Sequence, residues 1–282
     1  MKKSILIVFV LSVFTCNLLQ AQIIRKVAID NGKTLKDKIR QPYKPNKIIL
    51  PDTARTGTTT TTIIMKQISG IDYKLFEPAT KNFSTPKGIL VIGSGNDDNK
   101  PGKGKLSETT ENNLCKLEAD NGYVAAIVAY QAGTANPNNG TWEHWNNNAK
   151  LMAQDFDKCI TDISTKYNVA KSKTVIAGVS YTSFMMLTDI AIDNTLSYAA
   201  GLIASCGGTQ TWQAQNFKIP IYSLTCSDKY EGDFCGLDLY NQIPASSAIK
   251  IKSEGFTDPN CTGHCNGNWL QLMFAKIKFW IP

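Results

Sequence analysis

Ser180 lies in the segment Ala177-Gly178-Val179-Ser180-Tyr181-Thr182, between an apolar run with strand character and an apolar run with helix character. A tight strand-to-helix turn would lift its hydroxyl above a sheet and leave the Tyr181 backbone N–H at a helix start. There it could stabilise negative charge developing on a substrate oxygen. A serine hydroxyl needs a base to become a nucleophile, and the chain has only two histidines, His144 and His264. His264 sits in Cys261-Thr262-Gly263-His264-Cys265. His144 sits between Trp142 and Trp145 and reads as part of a helix start or aromatic cluster. An imidazole in turn needs a carboxylate to fix its tautomer and stabilise its protonated form. Asp228, in Cys226-Ser227-Asp228, is the leading candidate, with Asp233 and Asp238 as runners-up. Taken alone, a serine at this place also has the pattern of a helix N-cap.

The surrounding elements must bring these groups together. Gly88–Ile92, Gly122–Tyr130 and Lys173–Gly178 are short, almost continuous apolar runs of the kind buried on both faces of a sheet. Helical spacing predicts helices over Leu106–Ala119 with Ser107 as a cap, near Asn147–Tyr167, from Phe184 onward, over Leu237–Gln242 and over Trp269–Trp280. Ala199–Ala204, Ile219–Thr225 and Ala248–Ser253 read as further strands. Ile63–Ile68 and Ile71–Phe76 read as a hairpin about Ser69-Gly70. Strands alternating with helices imply a mostly parallel sheet covered on both faces, with reactive groups at the strand carboxyl ends.

Gly178-Val179-Ser180 after a buried strand, followed in order by Asp228 and His264, resembles the α/β-hydrolase family, whose nucleophile turn reads Gly-x-Ser-x-Gly. Thr182 departs from that pattern. The resemblance covers roughly residues 70–282 and implies an α/β fold with little or no lid, since residues 205–218 are short. It implies Ser180 as nucleophile, His264 as base and Asp228 as acid. The acid segment is similar to the Gly-Thr-x-Asp loop of dienelactone-hydrolase-like esterases, with Cys226 and Ser227 replacing part of it. A second oxyanion donor is expected after the Gly88–Ile92 strand, from Gly95 or Asn96 in Gly93-Ser94-Gly95-Asn96, beside Tyr181. Tyr130, Trp142, Trp145 and Trp212 are candidates to border an open substrate site.

The implied chemistry is acyl transfer from a small-molecule or polymeric ester, with no cofactor and no metal. An amidase or peptidase using the same triad and a catalytically silent binding protein are the alternatives. Lys2, Lys3, the apolar run Ile5–Leu19 and the small residue Ala21 read as a secretory signal over residues 1–21. Lipidation at Cys16 fits less well, because Thr15 stands where Gly, Ala or Ser is usual. Residues 22–61 read as an irregular arm and 62–282 as one catalytic domain. After removal of residues 1–21 the net charge falls from +7 to +5, because two lysines and no acid are lost. That excess forms no basic block, so no nucleic-acid partner is expected. No later segment reads as transmembrane. The sequence carries no signal for oligomeric state.

Seven cysteines remain after export: Cys115, Cys159, Cys206, Cys226, Cys235, Cys261 and Cys265. In a secreted or periplasmic setting most should pair. Cys226 and Cys235 flank the acid loop, and Cys261 and Cys265 flank the histidine loop. Bridges that close each loop and bridges that join the two both remain open. A zinc site built from these cysteines and His264 is the less favoured reading.

Overall fold

A computed structural model describes residues 61–79, 83–97, 100–131, 142–209, 211–226 and 236–282. The expected signal at 1–21, most of the arm at 22–61, and Asp228, Asp233 and Cys235 lie outside the described residues.

Eight strands form one sheet in the order β1-β2-β6-β3-β7-β8-β9-β10. They are β1 (Thr62–Ile68), β2 (Ile71–Glu77), β3 (Ile89–Gly93), β6 (Val124–Ala129), β7 (Thr174–Val179), β8 (Gly201–Ser205), β9 (Ile221–Thr225) and β10 (Glu254–Thr257). Strands β6, β3, β7, β8, β9 and β10 run parallel to one another, while β1 and β2 add an antiparallel edge beside β6. The β1–β2 turn is built by Ser69 at φ 49° and Gly70 at φ 80°, the left-handed pair that suits the twist of a two-residue hairpin. A separate small hairpin, β4 (Asn96–Asp97) with β5 (Lys100–Gly104), follows β3 and begins at Asn96, one of the expected oxyanion donors.

The helices are α1 (Thr109–Asp120), α2 (Trp142–Tyr167), α3 (Tyr181–Ile192), α4 (Leu237–Gln242) and α5 (Leu270–Trp280). Side-chain alternation along the strands divides the core in two. Ile89, Val91, Ile176, Leu202 and Ala204 pack with α2 and α3 residues such as Met152, Phe156 and Met185. Leu90, Ile92, Val175, Ala177 and Ile203 pack on the other face with Leu114 of α1 and Met273 and Ile277 of α5.

Two expectations need correction. Ala248–Ser253 contains a 3-10 turn at Lys250–Lys252, and the strand is β10, one residue further on. The alternation Ile249-Lys250-Ile251-Lys252 imitates a strand, but Ile251 is 87% exposed and has no sheet to cover it. Helix α1 begins after Glu108, not Ser107, and Glu108 makes no side-chain capping bond. Between β8 and β9 the described chain carries only the 3-10 turn Thr211–Asn216, in keeping with the expected absence of a large insertion there.

Candidate active site

Ser180 occupies the sharp turn between β7 and α3, at φ 51° and ψ −116°. A non-glycine residue in that region costs on the order of 1–3 kcal/mol and persists only where its surroundings enforce it. The enforcement is visible. The Ser180 N–H donates to the Ser205 carbonyl of β8 at 2.8 Å, and the Ser180 carbonyl accepts the first helical bond, from the Phe184 N–H. The Ser183 hydroxyl bonds the carbonyls of Gly178 and Ser205 at 2.6 and 2.8 Å. A Cβ at Gly178 would stand 2.7 Å from the Ser183 nitrogen, so the residue two before the serine has no room for a side chain.

At the third position of the turn, Thr182 is fully buried. Its hydroxyl donates to the Ser94 carbonyl at 2.6 Å. The space it needs comes from Gly93 on β3, where an added Cβ would lie 2.7 Å from the Thr182 side chain. The departure from Gly-x-Ser-x-Gly is thus a transfer of bulk across two facing positions.

His264 lies in the loop between β10 and α5. Its Nε2 is 2.9 Å from the Ser180 Oγ, across 84 residues of chain. The loop is fastened at several points. Disulfides join Cys206 to Cys265, with Cα atoms 5.4 Å apart, and Cys226 to Cys261, at 5.1 Å. The Asn266 amide oxygen accepts the Thr262 and Gly263 N–H groups at 3.1 and 3.0 Å. Trp269 Nε1 donates to Asp258 at the loop entrance at 2.9 Å. Cys226–Cys261 joins the acid and histidine loops, one of the arrangements left open above. Cys206–Cys265 was not foreseen, because Cys206 belongs to neither loop. Cys115 and Cys159 are buried free thiols, and burial pushes both well up. Among the described residues no group of three or more His, Cys, Asp or Glu could hold a metal. Cys265, next to His264, and Cys261, three residues before it, are both in disulfides.

The loop after β3 passes over the serine. A Cβ at Gly95 would be 3.4 Å from the Ser180 Cβ. Tyr130, expected to border the substrate site, is fully buried instead. Its hydroxyl donates to the carbonyls of Ser94 and Gly95 at 3.2 Å. With Thr182 also bonded to the Ser94 carbonyl, that oxygen is drawn inward. In a trans peptide the Gly95 N–H must then point the opposite way. Tyr130 therefore supports the loop and offers no stacking surface.

Tyr181 is 4% exposed, with its ring 6.2 Å from that of Tyr130 and 6.1 Å from that of Trp145. Burial raises its phenol above the ordinary range. Trp145 is half-buried in this cluster and also packs on Phe184. Trp142 and Trp212 fall within α2 and the 3-10 turn, but their side chains lie outside the described residues. His144 is exposed on α2, and Asp238 is exposed in the first turn of α4.

No protein-family model and no curated protein matches the chain. Solved structures do. Porphyromonas gingivalis dipeptidyl peptidase 4 is similar over 79% of this chain and 35% of its own, at 14% identity and a TM-score of 0.52. Pyrococcus horikoshii acylaminoacyl peptidase is similar over 79% and 42%, at 13% identity and a TM-score of 0.53. A cold-adapted esterase from an Arctic intertidal metagenomic library is similar over 79% and 96%, at 13% identity and a TM-score of 0.52. The chain spans about two fifths of the length of the two peptidases. Sheet order, crossovers and these likenesses define the α/β-hydrolase fold. Within that fold Ser180 stands at the turn from the central strand β7 into α3.

Proposed function

We propose that the protein is an exported serine hydrolase that cleaves carboxylic esters, with Ser180 as nucleophile and His264 as general base. The observation that carries this reading is the 2.9 Å approach of Ser180 Oγ and His264 Nε2, with Ser180 held in the left-handed turn. Ser180 Oγ bonds to the ester carbonyl carbon while its proton passes to His264. The tetrahedral oxyanion sits against the N–H groups of Tyr181 and Gly95. Its collapse breaks the ester C–O bond, and the alcohol leaves with the proton held by His264. Water repeats the sequence on the acyl-enzyme, releasing the carboxylic acid and restoring Ser180.

Asp228 serves as the acid that orients His264. It follows Cys226 by two residues, and the Cys226–Cys261 bridge ties the start of its loop to the histidine loop. The two disulfides fit an oxidising compartment, in line with a secretory signal. No helix among the described residues is long and apolar enough to cross a membrane.

Short p-nitrophenyl esters and a fluorophosphonate probe test this reading. The purified protein should turn over the esters and take up one probe on the peptide containing Ser180. Ser180→Ala should lose both, with activity falling by at least about 10³-fold. Unchanged turnover in Ser180→Ala would refute the mechanism.

A further inference from the structure

Behind the serine, between the start of α1 and the histidine loop, lies a cavity of about 220 Å3. Gly95, Ser205 and Cys265 form the wall toward the active site, while Glu111, Trp269 and Met273 form the far wall. Each near-wall residue adjoins the relay. Gly95 crosses the serine, Cys265 follows His264, and the Ser205 carbonyl holds the Ser180 N–H.

Two of the polar side chains that line the cavity lack an adequate explanation in the fold. Ser205 is 1% exposed, and its Oγ has no hydrogen-bond partner among the described residues. By strand alternation it faces the same side of the sheet as Ile203, the side of α1 and α5 on which the cavity lies. A buried hydroxyl without a partner is costly, and a bound group would remove that cost. Glu111 is 2% exposed, and among the described residues its carboxyl takes a bond from its own backbone N–H at the helix start and from no other group. Burial pushes its carboxyl up to about 7.

The charges at the cavity decide what would fit. Lys105 is 3.6 Å from Glu108, so these two largely offset each other and leave Glu111 as the remaining carboxyl. An anionic group would be repelled there. A neutral hydroxyl would satisfy Ser205 and leave Glu111 uncompensated. A primary ammonium has donors for both Ser205 Oγ and Glu111, and Trp269 and Met273 offer an apolar surface for its alkyl stem.

We propose that this cavity is a substrate subsite that binds a primary ammonium group on a short stem, making the protein selective for amino-substituted esters. The selectivity rests on the assignment of Ser180 as nucleophile, whereas occupancy of the cavity does not. The experiment therefore reads the two separately.

For selectivity, two ester pairs of matched size are compared at neutral pH. One pair is p-nitrophenyl 3-aminopropanoate against p-nitrophenyl butanoate, and the other is 2-aminoethyl benzoate against propyl benzoate. The wild type should favour the ammonium member of one pair by about 10-fold or more in kcat/KM. Glu111→Gln should reduce that preference to under about twofold. Parity within both pairs in the wild type overturns the selectivity.

For occupancy, fluorine NMR of 5-fluorotryptophan-labelled protein follows Trp269, assigned with Trp269→Phe. Propylammonium should shift this resonance saturably, propanol should act at least about 10-fold more weakly, and Glu111→Gln should abolish the response. Ser205→Ala, a smaller change, should weaken propylammonium binding by about threefold. No shift in the wild type overturns the site even where esters are hydrolysed. A saturable shift in a protein that hydrolyses neither pair supports the site and refutes the hydrolase reading instead.

Discussion

Cys206 and Cys265 are bonded to each other, and each follows directly on a residue that touches the relay: Ser205, whose carbonyl holds the Ser180 N–H, and His264. One covalent link therefore ties the Ser180 turn to the loop that carries His264. It acts on the loop alone, because β8 is already secured by β7 and β9. The double variant Cys206→Ser/Cys265→Ser should keep its circular dichroism spectrum while kcat on short esters falls by about 10-fold or more, since a displacement of ~1 Å in a reacting group can cost 10²-fold. Stability should fall by about 2–5 kcal/mol. Full kcat in the double variant would show that the other fastenings of the loop suffice.

Gly93 and Thr182 share one volume, and a double-mutant cycle can measure the sharing. Gly93→Ala places a methyl 2.7 Å from Thr182 and should destabilise by about 1–3 kcal/mol. Thr182→Gly removes a buried side chain and its bond to the Ser94 carbonyl, with a loss of similar size. Combined, the two should lose less than the sum, with a coupling of about 1 kcal/mol in denaturant unfolding. Strict additivity would contradict the packing described.

Tyr130 tests the loop proposed above to bind the oxyanion. Tyr130→Phe keeps the ring and removes the hydroxyl that bonds the carbonyls of Ser94 and Gly95. The expected result is a fall in kcat of about 3- to 10-fold with KM nearly unchanged, because a looser oxyanion donor weakens the transition state more than the ground state. A rise in KM alone would point to direct substrate contact, which its burial argues against.

Glu118 provides a prediction for stability against pH. Its carboxyl oxygens are buried on α1 with no partner among the described residues, and desolvation pushes its pKa from 4.5 to about 9. Lys278 and Lys87 oppose that shift without cancelling it. The folded state keeps this proton up to near pH 9, whereas the unfolded state releases it above pH 4.5. Between these values the unfolded state binds fewer protons, so stability falls as pH rises, by about 1.4 kcal/mol per unit for one such group. Glu118→Gln should therefore lessen the loss of stability between pH 5.5 and 8 by about 3 kcal/mol in urea unfolding. A pH profile identical to that of the wild type would show that Glu118 does not set the slope.

The parts of this fold that were legible in the sequence are those where local pattern and burial agree. The runs around Ile89–Ile92, Val124–Val128 and Val175–Ala177 are buried on both faces, and their continuous apolarity marks them without ambiguity. The Lys250–Lys252 turn misled because two isoleucines alternating with lysines have strand periodicity even where no neighbouring strand receives them.

At the candidate site, the order and strand-end placement of Ser180 and His264 could be read along the chain, and their 2.9 Å approach is a consequence of the parallel sheet. Tyr130 and Cys206 could not be read that way. The aromatic side chain gave no sign that it would point beneath the loop, and the partner of Cys265 is separated from it by 59 residues. Ser205 carried no signal beyond being a serine at the end of an apolar strand.

The exchange between Gly93 and Thr182 bears on how such serine turns vary among proteins. The steric condition applies to the summed size of two facing side chains, not to one of them. A lineage can pass from glycine to threonine after the serine whenever β3 first gives up its own side chain opposite. Chains that have made this move escape any signature demanding glycine two residues after the serine, and their kinship is better sought in the pair.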